Sequence, residues 1–125
     1  MINALLIFFG GGLGSLARYG ISKIAIANYQ TNFPVSTFLS NFISCIILAL
    51  TVYYFQSRYT LSNGFKLFII TGFCGGFSTL STFSYETFEL FKMGYGWMAV
   101  GNIVVSILTC MLVMYFSYEL LITND

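Results

Sequence analysis

The sequence predicts an all-α integral membrane protein of four transmembrane helices, and three observations carry the prediction. Only 7% of the 125 residues are charged while 58% are hydrophobic. A soluble domain devotes about a quarter of its residues to charge, so the surface of this chain has to face lipid, as its mean hydropathy of +0.85 also implies. Four windows, at residues 3–27, 35–55, 65–88 and 97–121, reach the ~20 mostly apolar residues that a helix needs to cross hydrocarbon. Finally, runs such as "ISCIILALTVYYF" lack the alternating polarity of the ~10-residue strands of a membrane barrel, which leaves helices.

The first window, from Asn3 to Ala27, has no basic residue ahead of its apolar run and is expected to be a span, not a cleaved leader. Its glycines at 10, 11, 12 and 14 suit close helix packing. Arg18, always charged, either snorkels to head groups or lines a polar vestibule. The loop "NYQTNFP" ends on Pro34, suited to a first helical turn, and leads into the second window. There Thr37, Asn41 and Ser44 fall at i, i+4 and i+7 on one face, with Ser40 beside them. The Asn41 amide offers two N–H donors, which either tie helices together or face a path.

"QSRYTLSNG", with a turn signal at Asn63-Gly64, precedes the third window. This span contains "GFCGGFSTLSTFS", from Gly72 to Ser84. Paired glycines followed by hydroxyl residues make a poor helix interior, so a break is expected between Gly75 and Thr79. Non-helical backbone survives at membrane depth only when buried in protein or facing a cavity or ion. Broken helices present carbonyls to cations and N–H groups to anions. Beyond the break, Leu80, Phe83 and Glu86 share a face. After "ELFKMGYG", the fourth window repeats the polar stripe with Asn102, Ser106 and Thr109, and Cys110 alongside. Two stripes of neutral donors on two spans point to a path for an anion.

Arg58 and Lys66 lie on the side of the termini, against Lys23 and Lys92 on the other, joined by Arg18 if it reaches out of its helix. This balance sets no orientation by the positive-inside rule. Either the chain simply has few charges, or copies insert both ways and pair antiparallel; four short helices enclose little, so an oligomer is expected. The cysteines at 45, 74 and 110 all lie in spans and read as small apolar filler. With no histidine and no ligand spacing, a zinc or haem site has little to work with. One domain, residues 1–125, is expected to be wholly embedded in the bilayer. It has neither a soluble catalytic constellation nor a nucleic-acid patch.

The third-span motif resembles the signature of the Fluc (CrcB) fluoride channels, close to GFCGGxTTFSTFS. "GGGLGSLARYG" is similar to that family's first span and "STFLSN" to its GTxxxN stretch. The resemblance implies passive fluoride export across the cytoplasmic membrane by an antiparallel, dual-topology dimer with two narrow pores. It also implies a structural Na⁺ at the dimer centre, held by backbone carbonyls of Gly75 and Ser78 from both broken helices. Asn41 would be the donor beside the pore, with Thr37 on its stripe, and Phe83 the second of two pore phenylalanines. Arg18 would be the vestibule arginine and Glu86 the acidic residue at the end of the motif. The fourth-span track would fall on Asn102, Ser106 and Thr109 or Cys110. Fluoride is strongly hydrated, and close N–H and O–H donors can replace its water, helped by the positive edge of a phenyl ring.

One letter departs from the pattern: Leu80 stands where the first pore phenylalanine is expected, and an isobutyl group offers an anion no quadrupole. The pore then works with one ring, is impaired, or is completed by a second homologous chain in a heterodimer. Two other functions compete. A small multidrug resistance-type exporter, coupled to protons, needs a carboxylate deep in its first span, whereas Glu86, Glu89 and Glu119 all sit near span ends. A non-transporting subunit would use its glycines and asparagines only for packing.

Overall fold

The computed structural model describes residues 1–55 and 58–122; Gln56 and Ser57 of the second loop, and 123–125, lie outside it. Helix α1 spans Ile2–Asn28 and α2 spans Val35–Ala49, continued by a π-helical stretch, Leu50–Phe55. A short α3, Asn63–Lys66, runs into π-helical Leu67–Cys74 and then α4, Gly75–Phe77. Helix α5 is Leu80–Lys92 and α6 is Gly96–Ile122. Among the described residues, four helical stretches are long and apolar enough to cross a membrane: Ile2–Asn28, Val35–Phe55, Asn63–Lys92 and Gly96–Leu121. The protein is thus an all-α, multi-pass membrane protein.

Local chemistry sets the ends. Pro34 occupies the N-cap of α2. The Ser62 hydroxyl caps α3 by accepting the Phe65 N–H at 3.2 Å. Asn63 and Gly64 therefore start a helix instead of forming the expected turn, because the capping oxygen one residue earlier satisfies an N–H that a turn would leave free. Helix α5 closes at Gly94, whose φ of +84° suits a residue without Cβ; the Tyr95 N–H then reaches back to the Leu90 carbonyl at 2.8 Å.

The interior is small and mixes polar side chains with apolar ones such as Ala49, Phe77 and Leu90. Thr37, Ser40, Ser44, Thr51, Thr87, Asn102 and Ser106 are buried, whereas Phe8, Leu16, Trp97 and Phe116 are exposed. Many hydroxyls satisfy themselves on the carbonyl one turn back, as Ser40 does on Ser36 and Thr51 on Ile47, both at 2.8 Å. Helix α1 packs on the third span backbone to backbone. A Cβ at Gly10 would strike the Phe68 carbonyl oxygen, one at Gly14 the Phe73 carbonyl oxygen, and one at Gly76 the Gly11 carbonyl oxygen.

That contact corrects the expected break. Gly75–Phe77 stays helical, and only Ser78 (φ −79°, ψ 158°) and Thr79 (φ −154°, ψ 121°) are extended. Gly76 serves close approach to α1, not unwinding. The eight-residue π stretch ahead of it is the other departure from regular helix, a feature that clusters at functional sites.

Candidate functional site

Two extended residues inside a membrane span leave backbone groups that need partners, and side chains from the other spans supply them. Asn41 on α2 bridges the gap: its Oδ1 accepts the Thr79 N–H at 2.8 Å and its Nδ2 donates to the Thr79 carbonyl at 3.3 Å. The Thr79 hydroxyl in turn caps α5 by accepting the Thr82 N–H. On the near side, the Cys74 carbonyl accepts from the Ser78 N–H (2.9 Å), the Ser78 hydroxyl (2.7 Å) and the Ser44 hydroxyl (3.2 Å). The half-buried Arg18 donates through Nε to the Gly76 carbonyl at 3.3 Å, and Ser15 reaches the same oxygen at 3.5 Å. A guanidinium is thereby aimed at the C-terminal end of the first half-helix, where carbonyls concentrate partial negative charge. Among the described residues, no hydrogen bond engages the carbonyls of Gly75 or Ser78.

Beside the break lies an open recess of about 350 Å³, lined among others by Asn41, Thr79, Leu80, Phe83, Ser106 and Cys110. Leu80 stands on its rim, 75% exposed. Behind Phe83 runs a buried polar relay. The Ser106 hydroxyl donates to Asn102 Oδ1 at 3.3 Å, and Asn102 Nδ2 donates to the Thr87 hydroxyl at 2.8 Å. Thr87 then donates to the Phe83 carbonyl at 2.7 Å. Asn102 is fully buried, so it steadies the recess wall and does not line it.

Of the sequence-expected residues, Asn41, Leu80, Phe83 and Ser106 therefore meet at one recess. Thr109 does not join them: its hydroxyl turns back to the Val105 carbonyl at 2.6 Å, and it lines a separate recess with Phe42 and Phe116. Cys110 takes the place on this face, its Sγ 3.9 Å from the Asn41 carbonyl oxygen. Thr37 is buried. Glu86 lines a different recess, of about 290 Å³, with Tyr29, Ser36 and Glu89; its Oε2 is buried without a hydrogen-bond partner among the described residues. Glu89 pairs with Lys92 at 2.8 Å. Thr87 and Ser15 were not anticipated. Thr87 sits one turn after Phe83, and a hydroxyl at that spacing on α5 was the signal available for it.

The relay makes a direct prediction. Asn102→Leu strips Thr87 and Ser106 of their shared partner, and a buried polar group left unpaired costs ~1–3 kcal/mol. The thermal unfolding midpoint in detergent should fall clearly, and fall less for Ser106→Ala, which keeps the Asn102–Thr87 bond.

Comparison with known proteins accords with this architecture. Residues 5–118 match the family model described as CrcB-like protein, Camphor Resistance (CrcB). The chain is 41% identical over 119 residues to a fluoride-specific ion channel FluC of Pyrococcus horikoshii, covering 95% of this chain and 94% of that one. It is 39% identical over 121 residues to one from Phocaeicola vulgatus, covering 94% and 99%. A third, from Clostridium perfringens strain 13, is 34% identical over 107 residues, covering 86% and 84%. With a match over nearly its whole length, four spans and a broken third helix, the chain belongs to the CrcB family.

Proposed function

We propose that this chain is a fluoride channel: a passive, non-enzymatic conduit that lets fluoride leave the cell across the cytoplasmic membrane. The observation that carries the reading is the convergence of Asn41, Phe83 and Ser106 on one recess beside the break, in a chain whose relatives bear the name fluoride-specific ion channel. The Asn41 amide carries two N–H bonds. One is used on the Thr79 carbonyl, which leaves the other for an anion. The edge of the Phe83 ring adds a positively polarised contact. Among the described residues no carboxylate lines this recess, so a passing anion meets donors and no fixed negative charge there.

The working unit in this reading is an antiparallel, dual-topology dimer with two pores; the near-equal distribution of Lys and Arg between the two sides and the openness of the recess support it. A structural Na⁺ at its centre would supply a fixed positive charge where the two broken helices meet. The residues fit such an ion: Na⁺ favours hard oxygen ligands, and the carbonyls of Gly75 and Ser78 accept no hydrogen bond among the described residues. Arg18 positions the break through Gly76, and Glu86 stands in the second recess.

Leu80 favours a second reading, in which this chain is one half of a heterodimer whose homologous partner supplies a ring at the recess rim. The test is flux. Purified protein in liposomes under a fluoride gradient should release fluoride and not chloride. Release only after a second homologous subunit is added selects the heterodimer, and no release in either case overturns the channel.

A further inference from the structure

The recess beside the break also carries two thiols. Cys45 lies on α2 one turn beyond Asn41, and Cys110 lies on α6 one turn beyond Ser106. Both line the recess, and both are half-buried free thiols. The Cys110 Sγ lies 3.9 Å from the Asn41 carbonyl oxygen. In an α-helix that oxygen is the acceptor of the N–H four residues on, which here belongs to Cys45. One sulfur thus reaches the very turn that carries the other. Cys74 differs: it is buried, directs its Sγ at the Ser44 carbonyl at 3.8 Å, and does not line the recess. A single cysteine in a span is filler, but two on neighbouring helices lining one opening offer two sulfurs to one ion.

The geometry points to Cys45 and Cys110 as a two-thiol site for a soft divalent cation of the mercuric type, bridging the second and fourth spans. Thiolates select soft metals, whereas hard cations want oxygen, and among the described residues neither histidine nor carboxylate lines this recess. Binding forms two sulfur–metal bonds, breaks two S–H bonds and releases two protons to solvent, with no oxidant or reductant required. Two thiolates on a divalent cation give a neutral complex. Neutrality matters at this depth, because a net charge in the bilayer is expensive; a monovalent cation on the same pair would leave one negative charge.

The test titrates the full chain, in detergent and carrying Cys74→Ala, with mercuric chloride, and counts the remaining thiols with a chromogenic disulfide. One equivalent should consume both thiols, the intact mass should show one mercury within a single chain, and a thiolate-to-mercury absorption band should appear in the ultraviolet. Cys45→Ser and Cys110→Ser should each hold mercury about 100-fold less tightly against a competing monothiol, since the second sulfur acts at high effective concentration. The unaltered chain provides the same readout without any substitution: one equivalent should take two of its three thiols and spare Cys74. If one equivalent consumes a single thiol, if the mercury joins two chains, or if either serine variant binds as tightly as its parent, the paired site is refuted. None of these readouts depends on ion flux.

Discussion

Replacing Gly14 with alanine is expected to prevent the first span from packing on the third, while the same change two residues earlier, at Gly12, leaves the fold intact. A Cβ at Gly14 would overlap the Phe73 carbonyl oxygen and sit 2.8 Å from the Phe77 nitrogen. Both obstacles are backbone, so neither can rotate away. Overpacking that side chains can absorb costs ~1–3 kcal/mol, and a clash they cannot absorb exceeds that range. Moving α1 outward would also open the contacts of Gly10 and Gly76 and pull Arg18 from the Gly76 carbonyl. At Gly12 nothing lies within 4 Å, and alanine is the better helix former by ~1 kcal/mol. Heating each variant in detergent and measuring the monodisperse fraction by size-exclusion chromatography compares them; equal survival of the two would refute the close approach.

Asn41→Ala should reduce fluoride efflux from proteoliposomes at least ~10-fold, the factor that corresponds to ~1.4 kcal/mol, and should also lower stability. Alanine abandons both the N–H and the carbonyl of Thr79, and each unpaired group costs ~1–3 kcal/mol where water is scarce. The extended geometry of Ser78 and Thr79 then loses its lateral tie, and the recess loses its amide donor. Efflux is to be measured per folded protein, on material that elutes as a single species below its unfolding temperature. Lowered stability with undiminished efflux would reduce Asn41 to a tie between helices and return the polar stripes to simple packing.

The candidate site was half legible in the sequence, and the division has a physical cause. Asn41, Phe83 and Ser106 could be picked out because polar or specially placed residues stand out in apolar spans. That Asn41 would spend its oxygen and one N–H on Thr79 could not be read, because the acceptor is a backbone group 38 positions away. The choice between Thr109 and Cys110 was equally closed: adjacent helical residues point about 100° apart, and only the turn of Thr109 toward Val105 settles which one reaches the recess. Arg18 balanced between lipid and vestibule in the sequence; in the fold it grips the Gly76 carbonyl. The glycine pair in "GFCGG" suggested unwinding, and the structure spends Gly76 on contact with Gly11 instead.

Composition, window length and the third-span motif by themselves determined the membrane setting, the four spans, the family resemblance and the existence of a break. Hydrocarbon imposes those features, since it forces apolar surfaces outward and backbone bonds inward whatever the neighbours are. Tertiary structure alone decided which glycines touch, which two residues carry the break, which donors are already occupied and which cysteines line the recess. Each of those depends on the backbone that lies across from a residue, and the spacing along the chain holds no record of it.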